Sequence, residues 1–250
     1  MDAKELAAPA LLLAAVFVAA LLVYNYARLS PGDGGAPVRW QQGFSLPALQ
    51  AAFRDAVADA EHATQQKVYR NLTRITPDNP ALSWNGRGQV LVVTWTSYAG
   101  YDHLTGREVN LSREAWVSAD SDVKSFCDSI PGGANRSLRM EEAMGLPPAN
   151  GKTRFVQMFA YPSDIFRPCP DPEITDSECG LEFPENAGAE HRAWFNNLSA
   201  ISYLENGYPW TRLGYTYDWG GTGSHVGLSE FVVRKGATVA IHNVSGNEYC

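Results

Sequence analysis

An uncharged run of 19 residues, Leu6 to Tyr24, sets the first limit on how this chain can fold. It reads LAAPALLLAAVFVAALLVY. As an α-helix rising ~1.5 Å per residue, such a run matches the ~30 Å hydrocarbon core of a bilayer. It is apolar on every side and leaves no face for water. A cleaved signal peptide needs a basic start, a shorter apolar core and a small-x-small site just beyond it. Here the start, MDAKE, sets one Lys between two acids, and Tyr24-Asn25-Tyr26-Ala27 lacks the small residue three before a cut. Tyr24 and Tyr26 suit the membrane interface, with Arg28 just outside. Pro9 falls in the first turns, where a missing N–H is tolerated. Residues 1–28 therefore read as an uncleaved anchor, with the membrane as partner through residues 6–24.

Lysine and arginine do not orient the anchor. Lys4 and the α-amino group lie on one side of it, and Arg28 and Arg39 on the other. The four cysteines decide instead. Cys127, Cys169, Cys179 and Cys250 all follow the anchor. They form no C-x-x-C pair and have no histidine at metal-ligand spacing, so no metal site is expected. An even number beyond a secretory-type segment points to disulfides in an oxidising compartment. Of the three possible pairings, Cys169–Cys179 closing a short loop and Cys127–Cys250 tying down the C-terminus are preferred. The N-terminus is then cytoplasmic and the C-terminal domain extracytoplasmic, in a single-pass membrane protein. Five Asn-x-Ser/Thr sites, at Asn71, Asn110, Asn135, Asn197 and Asn243, would be glycan acceptors only in a eukaryotic secretory pathway.

Residues 29–44 form a Gly/Pro-rich spacer with SPGDGGAP at its centre. Ser45 is positioned to cap a helix over residues 45–70, where Leu46, Leu49, Phe53, Val57 and Ala60 make one apolar stripe. That helix packs on the domain or stands as a stalk. Residues 71–250 form the extracytoplasmic domain. The net charge is −7, and removing residues 1–28 leaves it unchanged, because two charges of each sign go. An acidic domain without a basic run argues against nucleic acid as a partner.

Gln89 to Ser97 (QVLVVTWTS) is β-branched and aromatic and reads as a buried strand. A short strand at Trp116–Ser118 leads into a helix over 121–129. Leu138 to Met144 reads as a helix stopped by Gly145. Arg154 to Tyr161 is a strand and Ala187 to Leu198 a helix. Strands at Thr211–Trp219, Leu228–Arg234 and Thr238–Asn243 close the chain. Without regular βαβ alternation, the fold class is α+β, a largely antiparallel sheet with several helices, preceded by one transmembrane helix.

Three regions carry candidate chemistry. From Ile201 the chain reads ISYLENGYPWTRLGYTYDWGG. Tyr208, Trp210, Tyr215, Tyr217 and Trp219 can form a binding platform for a protein or polysaccharide, or the wall of the core. Arg212, Asp218, His225 and Glu230 flank a glycine hinge and are the best catalytic grouping, His and Glu as acid or base and Arg as anion holder. CPDPEITDSEC, residues 169–179, crowds Asp171, Glu173, Asp176 and Glu178 into a loop that reads as solvated and acidic rather than as a calcium site. Arg167 before it can pair with one of these acids at the surface.

Glu230 begins a β-branched strand that a glycine follows. Over about fifteen residues this is loosely similar to the last motif of ADP-ribosyltransferase-like folds, where a strand-borne Glu orients the nicotinamide ribose. Leu228 stands where many members carry a second acid, and no Arg strand or Ser-Thr-Ser strand precedes it, so the resemblance ends there and no cofactor is expected. No Gly-x-Ser-x-Gly elbow, His-Glu-x-x-His helix or phosphate loop is present. The chain thus reads as a membrane-anchored extracytoplasmic domain binding a partner protein or envelope polymer. The alternative is a membrane-anchored hydrolase or transferase using the Arg/Asp/His/Glu cluster.

Overall fold

Strand β1 (Val90–Thr96) runs through the middle of a seven-stranded antiparallel sheet. The computed structural model describes residues 44–250; the anchor at 6–24 and nearly all of the spacer lie outside them. The chain divides into Met1–Val38 and Arg39–Cys250, and the described residues fall within the second unit. Among them, no helix is long and apolar enough to cross a membrane.

The strands in chain order are β1, β2 (Glu108–Asn110), β3 (Ala115–Ala119), β4 (Arg154–Ala160), β5 (Ile165–Phe166), β6 (Tyr215–Tyr217), β7 (Val226–Ser229), β8 (Phe231–Val233) and β9 (Thr238–Ser245). The large sheet has the order β2-β9-β4-β1-β3-β8-β5, and β6 and β7 form a separate ribbon. Among the described residues four α-helices accompany them: α1 (Leu46–Ala60), α2 (Asp120–Ser129), α3 (Arg136–Ala143) and α4 (Ala189–Ser202). The class is α+β with a large antiparallel sheet.

Two-residue alternation explains why β1 is apolar throughout. Val90 and Val92 enter one core with Val156, Met158, Phe231 and Ile241. Val93 and Trp95 face the other way, into a core with Val123 and Cys127 of α2 and Met140 of α3. Trp95 stacks on its cross-strand partner Phe155 at 5.3 Å, and Phe155 on Tyr249 at 4.5 Å.

Several expected boundaries move. Helix α1 ends at Ala60 rather than Arg70, where the apolar stripe runs out. The Lys67 ammonium folds back to bond the Asp59 carbonyl and carboxylate, both at 2.8 Å, placing positive charge at the negative end of the helix. Phe53, Ala56 and Ala60 bury against Tyr217 and Trp219, so α1 packs on the domain and is not a free stalk. Ser45 is its N-cap residue, with its carbonyl rather than its hydroxyl bonding the first turn. The strand expected at 211–219 shrinks to Tyr215–Tyr217. Arg212 and Gly214 adopt positive φ, 59° and 78°, and turn the chain first. The strand expected at 228–234 is broken at Glu230 into β7 and β8, which belong to different sheets.

Disulfides join Cys127 to Cys250 and Cys169 to Cys179, and no described cysteine is free. They are consistent with an extracellular or periplasmic domain. Arg167 is a correction. It is fully buried, not a surface residue. It pairs with Asp176 and donates to the carbonyls of Thr73, Asp176 and Glu178 at 3.2, 2.9 and 3.2 Å. The guanidinium thereby fixes the acidic loop from inside. The carboxylates of Asp171, Glu173 and Asp176 lie within 4.8 Å of one another there.

Candidate functional site

The break at Glu230 borders a cavity. Phe231 pairs with Val117, so Glu230 falls beside Ser118 as the chain passes from the ribbon to the large sheet. Its own N–H bonds the Gly214 carbonyl at 3.0 Å, holding the corner. The cavity beside it measures about 530 Å³, within the usual range for small-ligand sites.

Its floor is the large sheet, through Thr94 and Trp95 of β1 and Trp116 and Ser118 of β3. One wall is the end of α3, Met144 to Leu146. Gly145 stops that helix at φ 62°, and a side chain there would press on the Tyr217 carbonyl at 3.3 Å. The opposite wall is the end of α4 with the loop Asn206–Trp210. Gly207 makes this loop possible. A Cβ on it would lie 2.0 Å from the Ser202 carbonyl, so only glycine lets the loop fold back on the helix end. Tyr208, 51 % exposed, stands at the mouth with exposed Ile201.

The electrostatics are unusual for a cavity with aromatic walls. Burial pushes the Glu230 carboxyl up to about 8. Among the described residues, it makes no hydrogen bond or ion pair. Lys152 also lines the cavity, and burial lowers its ammonium pKa. The indole N–H of Trp95 is buried without an acceptor. Unpaired ionisable groups at a cleft mark functional sites more often than structural ones.

The residues picked from the sequence divide between this cavity and the core. Glu230, Tyr208, Trp210 and Tyr217 line it together. Trp210 also donates to the Pro168 carbonyl at 3.1 Å, and Tyr217 to the Asp59 carboxylate at 2.9 Å. Tyr215 and Trp219 are core, bonding the carbonyls of Lys67 and Leu146 at 2.8 and 3.0 Å. Arg212, Asp218 and His225 do not line the cavity. Arg212 bonds the Glu61 carbonyl and lies over the Tyr203 ring. Asp218 forms a buried ion pair with Arg139 and accepts the Gly220 N–H at 3.0 Å. His225 is exposed, stacked on Tyr217 at 4.6 Å, with Nδ1 3.1 Å from the Asp218 carbonyl. These three residues serve the ribbon and its connections. Trp95, Trp116 and Lys152 escaped sequence reasoning, because only the pairing of distant strands brings them to Glu230.

Comparison with protein-family models, with curated proteins and with solved structures finds no match.

Proposed function

We propose that this chain is a membrane-anchored extracytoplasmic domain that captures part of an envelope polymer or protein partner in the cavity at Glu230. One observation carries the reading. An aromatic-walled cavity of about 530 Å³ holds the Trp95 indole N–H, buried without an acceptor, together with the half-buried Glu230 carboxyl and Lys152 ammonium. A buried N–H without an acceptor carries a cost, which a bound ligand offsets by completing its hydrogen bond. The two disulfides and the apolar run at 6–24 support the location. Net charge −7 supports a partner other than nucleic acid.

The test uses the full chain in detergent with soluble fragments released from envelope polymer, by equilibrium dialysis. Binding that weakens at least tenfold on Tyr208→Ala and on Glu230→Gln supports the cavity. Unchanged binding in both variants, or none to the wild type, removes it.

A second reading, a hydrolase or transferase, is favoured by one feature. A carboxyl held near pH 8 is poised for general acid–base work at neutral pH. Of the four residues grouped for catalysis, Glu230 alone meets the cavity, so this reading places the acid–base role there. Turnover of the same fragments, lost in Glu230→Gln while their binding persists, distinguishes the enzyme from the binding domain.

A further inference from the structure

The partnerless groups of the cavity are of two kinds. Glu230 offers a half-buried carboxyl, and the buried Trp95 indole and the half-buried Lys152 offer N–H donors. Glu230 and Lys152 form no ion pair with each other, and the sheet register explains why. Glu230 falls beside Ser118, on the β8 side of β3. Arg154 pairs with Thr96, and the Thr153 N–H bonds the Thr96 carbonyl at 3.2 Å, so Lys152 lies past the end of β1 on the β4 side. Trp95 stands between them. With strands ~4.8 Å apart and residues rising ~3.4 Å, the two backbones are on the order of 20 Å apart. Two long side chains reaching inward leave on the order of 10 Å between carboxyl and ammonium, about the span of three extended residues.

We propose that the cavity takes a short zwitterionic peptide, its α-ammonium on Glu230 and its carboxylate on Lys152 and the Trp95 N–H. The inference rests on the cavity being the binding site. Charge complementarity carries it. A ligand ammonium gives Glu230 the counter-charge it lacks, and a ligand carboxylate does the same for Lys152 and satisfies the indole. The lining rings of Trp116, Trp210 and Tyr217 favour a cationic ligand further, because aromatic faces attract ammonium groups. A neutral ligand would leave both ionisable groups as they are, and an anion alone would meet Glu230 unfavourably. No metal or cofactor enters the scheme, and binding involves only proton exchange at Glu230, which must ionise to receive the ammonium.

The probe is the tripeptide Gly-Tyr-Gly in four forms: free, N-acetylated, C-amidated and blocked at both ends. Each is titrated calorimetrically into the full chain and into Glu230→Gln and Lys152→Met. The free form is expected to bind the wild type, and each single block to weaken it at least tenfold. N-acetylation should cost nothing further in Glu230→Gln, and amidation nothing further in Lys152→Met. Equal binding of the free and doubly blocked forms, or no binding of the free form at millimolar concentration, overturns the zwitterion. If envelope fragments still depend on Glu230 in that case, the cavity remains the binding site. If neither fragments nor peptides respond to Glu230→Gln, the cavity reading falls as well.

Discussion

Glu230 makes the stability of this domain fall as pH rises. Its carboxyl has an ordinary value near 4.5 in the unfolded chain and is pushed up to about 8 by burial in the folded one. Between those values the folded state keeps a proton that the unfolded state has released. Unfolding then releases a proton, and alkali favours it. The contribution is complete below about 4.5 and is lost as pH rises through about 8. A tenfold change in proton affinity is worth ~1.4 kcal/mol. The interval from 4.5 to about 8 therefore sets an upper bound of about 5 kcal/mol. Glu230 faces a cavity rather than solid protein, and water there solvates part of the charge, so about 2–5 kcal/mol is expected. Glu230→Gln keeps the shape and removes the titration. In urea unfolding at pH 5, variant and wild type should agree within about 1 kcal/mol; at pH 9 the variant should be the more stable, by about 2–5 kcal/mol. All other titrating groups are shared and drop out of the difference. A difference that is the same at both pH values would refute the argument that burial controls this carboxyl. An ammonium ligand reverses the consequence, because it binds the ionised form, and its affinity should rise with pH up to about 8.

Three further outcomes follow from the packing. Arg167→Met strips donors from three backbone carbonyls and the partner from Asp176. It should cost about 3–5 kcal/mol in urea unfolding, and a loss below about 1 would show that the buried guanidinium does not organise the acidic loop. Asp218→Asn takes from Arg139 its bidentate partner and leaves it only Glu142 at 3.6 Å, with the Asp218 and Arg139 side chains only 7 % and 13 % exposed. A destabilisation of similar size is expected, and any effect on ligand binding should disappear once the folded fraction is corrected for. The Cys127–Cys250 bridge spans 123 residues and the Cys169–Cys179 bridge 10. By loop-closure entropy, replacing the first pair with serine should cost about 5 kcal/mol and the second about 3; the reverse order of midpoints in urea would contradict that account.

What could be read in advance follows from the range of the interactions involved. The run at 89–97 revealed a buried strand, because a strand covered on both faces is apolar at every position, and β1 is flanked by β4 and β3 and covered by two cores. Gly145 revealed a helix end, because a left-handed residue is a local requirement. The segment 211–219 misled for a physical reason. Leu213, Tyr215, Tyr217 and Trp219 do alternate, but Thr216 and Asp218 between them are buried as well, so the period of two does not mark one face as core. Arg167 misled because charge is ordinarily left in water, and its burial is made tolerable by the Asp176 carboxylate and by the carbonyls of Asp176, Glu178 and the distant Thr73.

The candidate site shows the same division between local and distant signals. Glu230 was visible as an acid at the start of a β-branched strand, beside a glycine hinge. Its partners in the cavity were not, because Trp95 and Lys152 depend on how β1 pairs with β3 and β4. By register Glu230 continues the row of Ser118, Val93 and Gln157, on the face against which α2 and α3 pack and where Ser118 and Trp95 line the cavity. Its N–H bonds the Gly214 carbonyl as the chain turns a corner between two sheets, and the side chain stands at the cavity. The strained turn at Arg212 and Gly214 is thus tied to the site without contributing a side chain to it. Gly214→Ala tests that link. A Cβ there would meet the Arg167 side chain at 2.6 Å in a backbone conformation that alanine resists. Beyond a loss of about 1–3 kcal/mol in stability, the pH dependence assigned to Glu230 should weaken as the corner relaxes. An unchanged pH dependence in a destabilised but folded variant would mean that the cavity owes nothing to the turn.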